Sequence, residues 1–309
     1  MNEQNLFETI VEFPDSESNG EYDQLVGLDE IKNRLIKESA ILLNPGALSE
    51  WSKRQHGSVI PLVKTFENRP SLFIFAGDVG TGKTTLAENF GDNLARQYKM
   101  TITFYKLSLN TRGSGTVGEM TTLISSAFEE VKSYAKKLKQ NNGKYSSACI
   151  MLIDEADALA QSRELQQMHH EDRAGVNALI RGIDSITKAH LPVITVMCTN
   201  RLSAIDPAVR RRAAAIFEFD RPTKEQLLIL FQNLFSGVEI KREEFEMLLE
   251  LSGKNNERDY GYTYSDITQK IIPSILLTSY PDKPINFETI VKVIKDTPAT
   301  TPFSEYKGK

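Results

Sequence analysis

Residues 75–90 read FAGDVGTGKTTLAENF: the end of an apolar run, a bare loop, then a helical pattern. The eight residues from Gly77 to Thr84 hold three glycines, one lysine and two threonines. This is G-x-x-x-x-G-K-[ST] in the strand-to-helix setting that a phosphate loop needs. Gly77, Gly80 and Gly82 let the backbone curl until successive N–H groups point at phosphate oxygens, and the helix N-terminus adds its positive end. The candidate ATP-binding set is Asp78, Val79, Gly80, Thr81, Gly82, Lys83, Thr84 and Thr85. Lys83 is suited to the β- and γ-phosphates, and the Thr84 hydroxyl to Mg²⁺, which keeps several waters and takes few protein ligands.

Outward from this loop, the pattern alternates short apolar runs with longer helical stretches. The runs Ser71–Ala76, Ile102–Leu107, Ala148–Ile153, Pro192–Cys198 and Ala215–Phe219 are continuously apolar, as expected of strands buried on both faces. Thr84–Gln97, Gly118–Leu138 and Arg173–Ile186 read as helices between them. The expected fold is α/β, a five-stranded parallel sheet covered by helices. Beyond Asp220–Pro222 no strand pattern remains. Lys224–Phe235, Glu243–Leu251, Ser265–Thr278 and Phe287–Lys295 read as amphipathic helices, with a polar loop at Gly253–Asp266. The expected domains are a flexible acidic tail over 1–24, an α/β domain over 25–221 and a small helical lid over 222–309.

Composition narrows the class. The 309 residues are 40% hydrophobic and 25% charged, which fits a soluble globular chain of about two domains. A formal net charge of −4 provides no global attraction for nucleic acid or an anionic membrane. No apolar stretch is long enough to span a bilayer, and the N-terminus lacks the basic and apolar regions of a secretory signal. Cys149 and Cys198 lie in apolar runs and read as buried reduced thiols, which points to a cytoplasmic location. The four histidines form no zinc-ligand spacing with cysteine. His169 and His170 are adjacent, so their side chains diverge, and Gln161–Arg173 reads as a polar loop.

Three further elements carry chemistry. ACIMLIDEAD (Ala148–Asp157) is an apolar strand that ends in two carboxylates. Asp154 can hold the metal's water shell opposite Thr84, and Glu155 can orient or deprotonate an attacking water. VITVMCTNR (Val193–Arg201) is a second buried strand ending in a polar pair, and its tip belongs where open α/β sheets bind ligands. Asn200 there can bond the water or the γ-phosphate. IDPAVRRRAAAIFEFDRP (Ile205–Pro222) carries three consecutive arginines after a short helix. An arginine supplied in trans can stabilise a transferring phosphoryl group, which would make the site a subunit interface.

Together these elements resemble the AAA+ ATPases of the AAA branch, over about Gln24 to Glu305. QLVGLDEIKNRL is similar to the branch's first segment, which implies Val26 and Gly27 near the adenine. GTVGEMTTLISSAFEEV (Gly115–Val131) resembles its first pore loop, with Thr116 and Val117 at the gripping positions. DRAGVNALIRGIDSI (Asp172–Ile186) and GYTYSDI (Gly261–Ile267) resemble a core helix and a lid helix. The resemblance implies ATP and Mg²⁺ as cofactors, a homohexamer, Asn200 as sensor 1, and Arg211 and Arg212 as trans-acting fingers. Thr116 stands where an aromatic is usual and Ala213 where phenylalanine is usual, and a sensor 2 arginine would fall near Ser265, where this sequence has none.

An arginine followed by alanine, with VNAL and IDSI upstream, is similar to the pachytene-checkpoint ATPases that remodel HORMA-domain proteins. With under 25 residues ahead of the module, no adaptor-binding N-domain is expected. The expected function is ATP-driven remodelling of a HORMA-like partner, in the setting of bacterial anti-phage signalling (CBASS). The competing readings are a nucleic-acid-linked loader, a remodeller that disassembles or severs another complex, and a nucleotide-gated scaffold. A loader predicts basic stripes, a zinc module or an appended helix-turn-helix, and the sequence has none. Neither nucleic acid nor a membrane is an expected partner.

Overall fold

The computed structural model describes residues 6–15, 18–44, 46–67, 69–108, 119–138, 140–141, 144–158, 170–255 and 258–303. The described chain divides into two compact units. One comprises 1–23, 30–76 and 84–218, and the other 24–29, 77–83 and 219–309.

In the first unit, six strands form one sheet: β1 (Phe7–Phe13), β2 (Leu72–Gly77), β3 (Thr101–Leu107), β4 (Ser147–Ile153), β5 (Val193–Thr199) and β6 (Ala213–Phe219). Their order is β1-β3-β4-β5-β2-β6. β3, β4, β5 and β2 are parallel neighbours, and β1 pairs antiparallel with β3. The five apolar runs are thus the five expected strands, shifted by at most two residues at their ends. Along β2 the side chains alternate between the two faces. Leu72, Ile74 and Ala76 join a core built with Ile124 and Phe128 of the helix Glu119–Ala135 and Leu179 and Ile183 of the helix His170–Lys188. Phe73 and Phe75 turn the other way, with ring centroids 5.6 and 5.4 Å from Phe217, and Phe75 meets Phe90 of the helix Lys83–Tyr98 at 6.5 Å.

The structure corrects the expectation of a flexible tail. β1 lies within residues 1–24, and it makes the sheet six-stranded and mixed rather than five-stranded and parallel. Phe7 packs on Tyr105 at 4.9 Å and Phe13 on Phe104 at 5.9 Å, while Ile10 stays 55% exposed. A register shift between Phe7 and Thr9 breaks the two-residue period, so no clean alternation marks the strand in the sequence. Beyond β1, Asp92 holds the chain by accepting from Asp15 N at 2.6 Å, and Arg96 bridges Asp92 and the Asp15 carbonyl. Helices Asp29–Leu43, Gly46–His56 and Pro61–Glu67 fill the stretch ahead of β2.

The second unit is helical after β6. Lys224–Leu234, Arg242–Ser252, Ile272–Ser279 and Phe287–Asp296 bury Leu230, Phe231, Leu248, Ile275, Ile290 and Ile294 against one another. Thr223 and Gln226 make a reciprocal capping box that starts the first helix. The segment GYTYSDI is the keystone. The Tyr262 hydroxyl donates to the carbonyls of Ile294 and Thr297 at 2.6 and 2.7 Å. Asp266, fully buried, accepts from Lys270 Nζ and Thr300 Oγ1, each at 2.6 Å, and from the N–H groups of Thr263 and Thr300.

Burial alone raises the Asp266 pKa, but these donors outweigh it and hold the carboxyl at about 2. A carboxylate depressed in the folded state stabilises fully above its unfolded value and loses that contribution as pH falls from about 4 toward 2. Lys270 is half-exposed, so the contribution is screened to ~1–2 kcal/mol at neutral pH. Asp266→Asn is expected to cost about that much in urea unfolding at pH 7, with the two proteins drawing together below about pH 4 and converging toward about pH 2. A pH-independent difference would show that the charge is not what holds the segment.

Candidate active site

β2 delivers the phosphate loop. Gly77 leaves the strand where a Cβ would come 2.0 Å from the Phe219 carbonyl, so no other residue fits. Gly80 takes φ +75°, and a Cβ there would stand 2.8 Å from Ser265 Cβ and Thr263 Oγ1. The loop also closes on itself. Thr81 Oγ1 donates to the Asp78 carbonyl at 2.8 Å, and Lys83 Nζ donates to the same oxygen at 2.7 Å. Lys83 is buried, so its ammonium is held in the loop rather than spread into solvent. Ser265 donates its backbone N–H to Gly80 O at 3.1 Å. Val26 packs against the helical core, and Gly27 O accepts from Gln226 Nε2 at 2.6 Å.

Thr84 and Thr85 are the second and third residues of the helix Lys83–Tyr98, both partly buried. Thr84 Oγ1 lies 3.3 Å from Asp154 Oδ1, at the end of β4. A hydroxyl and a carboxylate oxygen at this separation fit a shared Mg²⁺ shell with water in the remaining positions. Glu155 has φ +48° and is exposed. A non-glycine residue in this region is strained by about 1–3 kcal/mol, and such strain clusters at functional sites. Its N–H donates to Asp154 Oδ1 at 2.9 Å, so the turn at Glu155 also fixes the Asp154 carboxylate.

At the tip of β5, Asp157 Oδ1 accepts from Thr199 Oγ1 at 3.1 Å and from Asn200 N at 3.4 Å. Asp157 therefore ties the β5 tip to the short 3₁₀ turn after β4 (Ala156–Ala158) and fixes where Asn200 begins. Sequence reading passed over it. The available signal was a third carboxylate just beyond the Asp154–Glu155 pair.

The arginine cluster follows the one-turn helix Pro207–Arg210, capped by Asp206 accepting from Ala208 N at 2.7 Å. Arg211 is exposed. Arg212 is engaged within the chain: Nε and an Nη donate to the two Asp184 carboxylate oxygens at 2.7 and 2.9 Å, and the other Nη donates to Ala208 O at 2.9 Å. These bonds hold the Asp184 carboxyl below its usual range. The two arginines named as fingers thus stand in different states. Ala213 begins β6, partly buried. Thr116 and Val117 lie outside the described residues, as do 159–169, which include His169.

Among the described residues no helix is long and apolar enough to cross a membrane. Cys149 and Cys198 are buried thiols rather than a disulfide, and burial pushes the Cys149 thiol up to about 12.

Residues 73–221 match the family model described as "ATPase family associated with various cellular activities (AAA)". The chain is 50% identical over 298 residues to CD-NTase-associated protein 6 of Escherichia coli (strain MS 115-1), covering 96% of each. It is similar to a chain in the solved E. coli MS115-1 HORMA:CdnC:Trip13 complex, with 48% identity, a TM-score of 0.90, and 97% of this chain and 98% of that one covered. It also matches the structure of Rhizobiales Trip13 at 41% identity and a TM-score of 0.77, covering 96% of this chain and 100% of the other.

Proposed function

The chain belongs to the AAA family of ATPases, and from that premise we propose that it is a hexameric, cytoplasmic remodeller that spends ATP on releasing part of a HORMA-domain protein in anti-phage signalling. The observation that carries this reading is end-to-end likeness to a chain solved together with a HORMA protein. In this reading residues 25–221 bind and hydrolyse ATP, and 222–309 act as the lid. Val26 and Gly27 border the adenine. The loop from Asp78 to Thr85 wraps the phosphates, with Lys83 as their cation. Mg²⁺, held by Thr84 and through water by Asp154, would offset phosphate charge. Glu155 removes the proton from the attacking water, Asn200 orients that water, and an arginine of the neighbouring subunit stabilises the charge that develops. The Thr84–Asp154 contact and the strained Glu155 turn support these roles.

Work on the partner falls to Thr116 and Val117. A methyl and an isopropyl group grip weakly, yet six such grips on one strand reinforce one another through effective concentration. Weak grips suit a loosely held terminus, because opening a mobile end costs far less than unfolding a domain. Hydrogen exchange on a purified HORMA-domain protein tests the reading. Its terminal segment is expected to exchange about tenfold faster or more with this chain and ATP, and not with a non-hydrolysable analogue. Val117→Asp should abolish the acceleration. Equal exchange with and without ATP would remove the remodelling assignment.

A further inference from the structure

Asp78 puts a carboxylate inside a loop built to receive polyphosphate, and the structure shows how that charge is managed. Asp78 Oδ2 accepts from Arg221 Nε at 2.9 Å and from an Arg221 Nη at 2.6 Å, while Oδ1 accepts from Val79 N at 2.9 Å and Phe303 N at 3.1 Å. The guanidinium reaches further. One Nη donates to the Gly261 carbonyl at 2.5 Å, the other also to Thr300 O at 2.7 Å, and the guanidinium carbon lies 5.0 Å from the centroid of the Tyr260 ring. Both side chains are largely withdrawn from solvent, at 14% and 17% exposure, so water screens the pair poorly. Lys83 Nζ sits on the carbonyl of this same Asp78. The loop therefore carries one cation for phosphate and one anion that opposes it.

We propose that Arg221 is a positioning residue for polyphosphate binding: it neutralises Asp78, so the loop accepts ATP only while Arg221 and the segment 300–303 are seated on it. The proposal rests on reading Gly77–Thr84 as the phosphate loop. A plain structural staple would use the same contacts, but charge separates the two. Asparagine at position 78 keeps an acceptor for Val79 N and Phe303 N and loses only the negative charge.

The test is equilibrium binding of a fluorescent ATP analogue to the full-length chain. Arg221→Ala should weaken binding about tenfold or more, because an uncompensated carboxylate then faces the phosphates. Asp78→Asn added to Arg221→Ala should return affinity to within about threefold of the unmodified chain, although the guanidinium contacts to Gly261 and Thr300 remain lost. Arg221→Lys keeps the charge without the fork and should also bind near the unmodified level, which covers the case of Arg221→Ala failing to fold. The proposal is overturned if Arg221→Ala binds normally, or if the double variant or Arg221→Lys stays as weak as Arg221→Ala. Lys83→Ala is the control on the site itself. If it retains full affinity, the phosphate-loop reading fails along with the proposal; if it loses affinity while the double variant stays weak, only the proposal fails.

Discussion

Glu155→Gln is expected to keep ATP bound while hydrolysis falls by about 10²–10⁴, the usual contribution of a general base. Glutamine preserves the size and hydrogen bonding of the side chain but cannot take a proton from water. The backbone supports the separation of roles. The Glu155 N–H already bonds Asp154, and this contact is independent of the side chain. Phosphate and metal contacts should therefore survive the substitution, and the protein should accumulate in its ATP-bound form. Single-turnover hydrolysis together with nucleotide retention after gel filtration measures both halves. A variant that elutes without nucleotide would place Glu155 in binding rather than chemistry. One that hydrolyses at the normal rate would remove it from the site.

Arg211→Ala is expected to reduce turnover by about 10³-fold or more with ATP affinity little changed, the mark of an arginine acting across a subunit boundary. The sequence names both arginines as fingers and puts this loss on Arg212; the geometry favours Arg211 instead. Arg212 has its fork filled by Asp184 and its remaining Nη on Ala208 O, so freeing it would leave a partly buried carboxylate unpaired. Arg211, next to it and exposed, carries no such cost. Arg212→Ala should then act through position, with a loss nearer tenfold and a matching loss in Asp184→Asn. Mixing Arg211→Ala protein with Lys83→Ala protein gives a second readout. Activity recovered in mixed assemblies requires the finger and the phosphate loop to come from different chains. Full activity of an Arg211→Ala/Arg212→Ala double variant would rule out both arginines, and with them the interface site.

Much of the candidate site could be named from the sequence because the chemistry proposed for it is local. The phosphate loop needs glycine, lysine and threonine at set spacings on one short stretch, and Asp154–Glu155 and Asn200 need only the ends of apolar strands. The five strands were legible for a related reason. A strand buried on both faces must be apolar throughout, whatever lies on either side of it. Sequence similarity supplied the family through the same kind of contiguous pattern. β1 escaped because an edge strand with a bulge and one outward face has no obligatory pattern, and Phe7 and Phe13 become core residues only once Tyr105 and Phe104 are beside them. The ion pairs escaped more completely. Arg221 and Asp78 are 143 residues apart, and Arg212 and Asp184 are 28 apart. Charged residues are common enough that no spacing marks two of them as partners. From its own order of residues this chain specifies a nucleotide loop on an α/β sheet with a helical continuation. Which arginine stays exposed and which is already paired was decided by tertiary contact, because a guanidinium is committed only by the carboxylate that folding brings within bonding distance.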